Sequence, residues 1–151
     1  GEVFHQHYGR ENLVRNNIFA LGGDAQLAHS RVDPEHKGFE LERNIIITDG
    51  APAITSGYSG LLSMKNLIVD LNLYYDVQNR PITFKDRRTG EEFTFEQWQA
   101  LGYDRHSLVA DPKCKDIANR DFTLKKDSPA FDLGFEPIDL SDVGPRPKEQ
   151  R

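Results

Sequence analysis

The segment His5-Gln6-His7-Tyr8-Gly9-Arg10 gathers two imidazoles, a phenol and a guanidinium into one short stretch. In an extended strand, residues two apart project from the same side. His5 and His7 therefore share a face, which suits a metal pair, a sugar-contacting groove or an ordinary polar wall. A metal needs a third and a fourth donor; none stands nearby, so no metal and no cofactor is expected. His29 and Arg31, in what reads as a loop after the first strands, are of the right type to take a proton from carbon beside a carboxylate. Asp24, Asp33, Glu35, Glu40, Asp49 and Asp70 are the acids from which a glycosidic acid/base pair would be drawn. Spacing alone singles out no pair, and no clustered set resembles a calcium cage. Gly102-Tyr103-Asp104-Arg105-His106-Ser107 holds Ser, His and Asp in one turn, but sequence neighbours do not adopt a chained triad geometry. A turn network is expected there, with Asp104 and Ser107 bonded to backbone amides and His106 tucked against a helix. The single cysteine, Cys114, reads as a buried free thiol.

The elements that would position these groups repeat. Val14-Arg15-Asn16-Asn17-Ile18-Phe19, Leu41-Glu42-Arg43-Asn44-Ile45-Ile46 and Val69-Asp70-Leu71-Asn72-Leu73-Tyr74 share one pattern, with the asparagine recurring after 27 and then 28 residues. A near-constant period of this length, carried by β-branched and aromatic residues, predicts a parallel β-solenoid whose equivalent residues stack in columns about 4.8 Å apart. Asn17, Asn44 and Asn72 are expected at the corners, in the left-handed conformation that Asn tolerates, with their amides bonding along the stack. Turn chemistry separates the repeats at Gly22-Gly23-Asp24, Asp33-Pro34, Asp49-Gly50, Ser56-Gly57 and Ser59-Gly60.

Beyond Tyr75 the period stops. Ile82-Thr83-Phe84 and Glu92-Phe93-Thr94 predict a hairpin about Arg88-Thr89-Gly90. Thr94 with Gln97 forms a capping box for a short helix that Gly102 closes, and Trp98 would pin this helix to the strands. Ser128 and Pro129 predict a second small helix ending at Gly134. The expected division is coils over 1–75, a hairpin and helix cap over 76–136, and an extended tail over 137–151. A cover of that kind is needed because an open strand edge recruits other chains.

Leu, Ile, Val and Phe make up about 26% of the chain, enough to build a core. The net charge of -5 argues against nucleic acid as a partner, and no apolar run reaches the length of a membrane span. The first residues already read as strand, so the chain is expected to be the C-terminal piece of a longer protein, with any export signal upstream.

Five segments carry a resemblance: His5 to Phe19, "FELERNIII", "GYDRHSLVADP", "RDFTLKKDSPAFDLGFEPIDL" and "VGPR". Together they resemble the C-terminal part of bacterial right-handed parallel β-helix repeat proteins of the pectate-lyase-like kind. That resemblance implies an exported (secreted or periplasmic) polysaccharide-processing protein, most simply a glycoside hydrolase acting on plant or algal glycans. Upstream coils of the same chain would hold or share the catalytic groups. A non-catalytic glycan-binding or surface-attachment module, or a polysaccharide lyase, are the alternatives. It also implies that a polysaccharide or oligosaccharide lies along one outer face, contacted by His5, His7, Tyr8, Arg10 and Arg31. Tyr8 can stack on a pyranose ring and Arg10 can pair with a uronate carboxylate. Cys114 departs from the family, whose members tend to carry a bulky apolar residue there.

Overall fold

In the computed structural model the described residues are 1–31, 35–57, 67–139, 141 and 143. The Asp33-Pro34 and Ser59-Gly60 turns, the acid Asp33 and most of "VGPR" lie outside them. Among the described residues the chain is β-rich, with one short helix.

Three parallel sheets account for most of the strands. The first contains β1 (Glu2–His7), β4 (Ala25–Arg31), β7 (Ile54–Ser56) and β10 (Thr83–Asp86), in that order, and ends on the antiparallel strand β11 (Glu92–Thr94). The second contains β2 (Asn12–Arg15), β5 (Phe39–Glu42) and β8 (Leu67–Asp70). The third contains β3 (Ile18–Ala20), β6 (Ile45–Thr48), β9 (Leu73–Asp76) and β12 (Leu108–Val109). The chain visits the sheets in turn, so every parallel neighbour comes from the next passage.

The register brings like residues together. Phe4 lies opposite Leu27, which lies opposite Ile54 and then Phe84. Val14, Leu41 and Val69 form a second row, and Phe19, Ile46 and Tyr74 a third. These rows converge on one apolar core. At its C-terminal end Trp98 stacks on Phe84 at 4.4 Å and on Tyr103 at 4.4 Å. Trp98 belongs to α1 (Phe95–Ala100), where Thr94 and Gln97 make the expected capping box and Gly102 takes φ +104. The opposite face of the third sheet, Ile18, Ile45, Leu73 and Ile47, packs under a strap made of β13 (Cys114–Asp116), β14 (Asp121–Leu124) and the turns through Phe135. Ser128 to Gly134 form turns, not the expected second helix: Ser128 Oγ donates to Pro112 O and accepts from Ala130 N, fixing a turn geometry.

The three asparagines are piled directly on one another. Asn17 Nδ2 donates to Asn44 Oδ1 at 3.1 Å, and Asn44 Nδ2 donates to Asn72 Oδ1 at 3.1 Å. Each acceptor oxygen also takes the backbone N–H of the preceding asparagine, at 3.0 Å in both cases. One expectation is corrected. The left-handed residue at each corner is the one before the ladder asparagine: Asn16, Arg43 and Leu71 have φ 57, 54 and 57. The asparagines are held by amide hydrogen bonding, and the corner strain falls on neighbours that include two ordinary side chains.

Candidate functional site

β1 alternates. Phe4 and Gln6 face the core while His5 and His7 face outward and are exposed. Beside them β4 supplies Ser30, whose Oγ lies 2.9 Å from His5 Nε2 and 2.9 Å from His7 Nδ1. One hydroxyl thus aligns both imidazoles. Gly57 makes room for it, since a Cβ there would lie 2.8 Å from Ser30 Cβ.

Tyr8, which follows, has φ 59, a conformation uncommon for a bulky residue. Its phenolic oxygen accepts a hydrogen bond from Arg31 Nη1 at 3.0 Å. The His7 ring meets the Tyr8 ring edge-on at 5.0 Å, and the Arg31 guanidinium carbon sits 5.8 Å from the Tyr8 ring centre. The result is a strip of His5, His7, Tyr8 and Arg31, with Tyr8 48% exposed. Imidazole donors and acceptors stand beside an aromatic plate edged by a cation. Arg10 is exposed on the turn beyond Tyr8.

His29 and Arg31 are not in a loop; both belong to β4. The stretch Ala25 to Ser30 is buried at every residue, so it lacks the alternation by which a half-exposed strand is read. His29 is wholly buried, bonded through Nδ1 to Gln6 Oε1 and packed edge-on against Phe39 at 5.5 Å. Burial, helped by the nearby His5, lowers its pKa to about 4. It is a core residue, out of reach of a substrate on the outer face.

The acids are distributed. Asp24 and Glu35 are exposed, Glu40 pairs with Lys37 at 3.1 Å, and Asp49 pairs with Arg80. Asp70 lies on the second sheet, opposite Glu42. Glu42 lies opposite Arg15 in turn, at 3.6 Å between charged atoms. His106 ends the row, its Nδ1 2.7 Å from Asp70 Oδ2, and its backbone N–H donates to Asp70 Oδ1. His106 is therefore exposed and tied to Asp70, not tucked against the helix. These hydrogen bonds hold the Asp70 pKa below its ordinary value although burial opposes them. Glu42 was missed in the sequence, yet a signal was present: Arg15, Glu42 and Asp70 each stand two residues before a ladder asparagine.

Asp104, unlike Asp70, is fully buried. Its Oδ2 accepts from Tyr74 Oη at 2.8 Å and Trp98 Nε1 at 2.7 Å; its Oδ1 accepts from Asn72 Nδ2 at 3.1 Å and Ser107 Oγ at 2.5 Å. Burial raises its pKa against the pull of these donors, and burial with Asp104 alongside pushes the Tyr74 phenol well up. This network joins helix, turn and ladder; it has no open face for a ligand. Cys114 opens the strap and is buried in the cluster beneath it, where burial and the acids Asp111 and Asp121 raise its thiol to about 11. Among the described residues no group of three or more His, Cys, Asp or Glu is gathered to hold a metal, and no helix is long and apolar enough to cross a membrane.

Comparison with protein-family models, curated proteins and solved structures finds no match.

Proposed function

We propose that this chain is the C-terminal part of a right-handed parallel β-helix of the pectate-lyase-like kind, and that its strip of His5, His7, Tyr8 and Arg31, with Arg10 beyond, contacts a polysaccharide or oligosaccharide. The parent protein is exported, secreted or periplasmic, and most simply a glycoside hydrolase acting on plant or algal glycans. The observation that carries the sugar reading is Tyr8, an exposed ring adjoining the His7 imidazole and a guanidinium, with His5 held beside His7 by their shared Ser30 hydroxyl. Sugars present apolar C–H faces to such a ring and hydroxyls to such donors and acceptors. A guanidinium adds preference for a uronate. The three-sheet order and the asparagine ladder support the β-helix reading.

Hydrolysis would draw carboxyl groups from upstream coils of the same chain, because the outward residues of β1, Val3, His5 and His7, and all of β4 lack a carboxylate, and Glu2 at the start of β1 is paired with Arg87 at 2.6 Å. That same scarcity of acid favours a second reading, a non-catalytic glycan-binding module. A lyase has less support, because His29, one of its two candidate bases, lies in the core, and Arg31, the other, is bonded to the Tyr8 phenol.

Affinity electrophoresis through gels containing pectins, alginates, xylans and neutral glucans tests the sugar reading, and reducing-sugar release by the full-length protein separates hydrolase from binder. Retention by at least one polysaccharide is expected, weakened about tenfold by Tyr8→Ala, the loss of roughly 1.4 kcal/mol of ring contact. A folded protein retained by none would overturn the proposal.

A further inference from the structure

The ladder has a direction. Asn44 Oδ1 and Asn72 Oδ1 each take two donors from the asparagine one passage earlier, its backbone N–H and its side-chain Nδ2. At the C-terminal end the series is terminated by substitutes: Asn72 N donates to Ser107 Oγ at 2.8 Å and Asn72 Nδ2 to Asp104 Oδ1 at 3.1 Å. Those two acceptors stand where a next asparagine would be. At the other end Asn17 spends its N–H and Nδ2 on Asn44 and Arg15, while its own Oδ1 accepts nothing from the described residues. Here the ladder stops on an unused acceptor. The strands of this passage, β1, β2 and β3, are the edges of all three sheets.

A second, independent feature lies beside it. Outward residues Leu73, Ile45 and Ile18 form a row on the third sheet, and the strap covers that row. Beyond Ile18 the strap continues over a cavity of about 640 Å³ lined by Ile18, Phe122, Leu124, Phe131, Phe135 and Ile138. The strap is fastened at that level by a two-way bond: Asn16 Nδ2 donates to Glu136 O at 3.0 Å and Glu136 N donates to Asn16 Oδ1 at 2.6 Å. The apolar roof is thus held in place over the edge of β3.

We infer that the open end receives one specific occupant, a parallel coil joined ahead of residue 1 that presents an asparagine to Asn17 Oδ1 and, in the next position, an aliphatic side chain to the cavity beside Ile18. This rests on the β-helix reading and adds the chemistry of the contact. Each ladder asparagine here is followed by Ile or Leu, namely Ile18, Ile45 and Leu73. The two features therefore ask for the same dipeptide. Ladder polarity argues against a second copy: head to head, Asn17 Oδ1 would face its own equivalent, and head to tail it would face the acceptors Asp104 and Ser107. The strap then clasps two coils at once and locks the C-terminal end onto the body ahead of it.

The test grafts a copy of residues 25–51 ahead of Gly1 and compares it with grafts carrying Asn44→Leu or Ile45→Ser in the copy alone. The unaltered graft is expected to raise Tm by about 5 °C and to slow hydrogen exchange of the β1, β2 and β3 amides, with most of both gains lost in each altered graft. Equal protection by all three grafts would overturn the inference while leaving the coil stacking intact. Absence of protection by any graft would count against the β-helix reading as well. The residues naturally preceding Gly1 give a check independent of graft folding. Asn followed by Ile, Leu or Val is expected roughly 24 to 28 residues ahead of Asn17, one repeat back, and any other pair there would overturn the inference.

Discussion

Replacing Asn44 by Leu removes the middle rung of the ladder with little change in volume. Asn44 is 1% exposed. Its side chain accepts from Asn17 N and Asn17 Nδ2 and donates to Val14 O and Glu42 O, both at 2.9 Å, and to Asn72 Oδ1 at 3.1 Å. Leucine satisfies none of these. Asn17 Nδ2 keeps Arg15 O, and Asn72 Oδ1 keeps the N–H of residue 44. The Asn17 N–H and two carbonyl bonds are left uncompensated, at about 1–3 kcal/mol for each group orphaned in the interior. The buried Leu methyls return part of that, so a net loss of about 3–5 kcal/mol is expected, a large fraction of the stability of a domain this size. Asn17→Leu, at the open end, should cost about 1 kcal/mol. Asn44→Asp should cost at least as much as Asn44→Leu at pH 7, because a carboxylate would face the two carbonyls and Asn72 Oδ1 with no proton to give. Urea unfolding monitored by Trp98 fluorescence measures all three. Equal costs for Asn44→Leu and Asn17→Leu, within about 0.5 kcal/mol of each other, would refute the idea that the ladder holds the passages in line.

Two further outcomes follow from local geometry. His29 is held near pKa 4 in the fold against about 6.5 unfolded, so the native state binds fewer protons between these values and stability falls as pH drops through that window. Between pH 7.5 and pH 5 the loss from this group is about 2 kcal/mol; urea midpoints should show it in the parent and lose it in His29→Gln, and parallel pH profiles would contradict it. Arg120 turns the β13–β14 hairpin at φ 62 on the surface. Arg120→Gly should therefore raise stability by about 0.5–1 kcal/mol and Arg120→Val lower it, as thermal melts would report.

The residues that were legible in advance are those whose side chain and backbone tell one story. The asparagine period reports a contact that each passage makes with the next, so it survives in the sequence as a spacing. Thr94 and Gln97 define the helix start by their own reciprocal bonds, and the pairing of Thr83 to Lys85 with Glu92 to Thr94 is local enough to follow from turn chemistry. What escaped depends on partners far along the chain. β4 shows no alternation because Ala25 to Ser30 are covered on both sides. The left-handed corners fall on Arg43 and Leu71, residues whose type gives no hint of positive φ. Glu42 meets Asp70 only through register, and His106 reaches Asp70 across 36 residues. Of the outer strip, the shared face of His5 and His7 was readable from their spacing. Their joint anchor Ser30, contributed by the next strand, was not.

The proposed contact of the His5, His7, Tyr8 and Arg31 strip with sugar is tested most directly by NMR titration of the folded chain with an oligouronide and with a neutral oligosaccharide of equal length. The account predicts saturable shifts of the His5 and His7 imidazole signals and the Tyr8 ring signals, larger with the oligouronide because of Arg31, while His106, on the turn bonded to Asp70, stays unmoved. Shifts confined to His106, or none at His5, His7 and Tyr8 with any sugar, would contradict it.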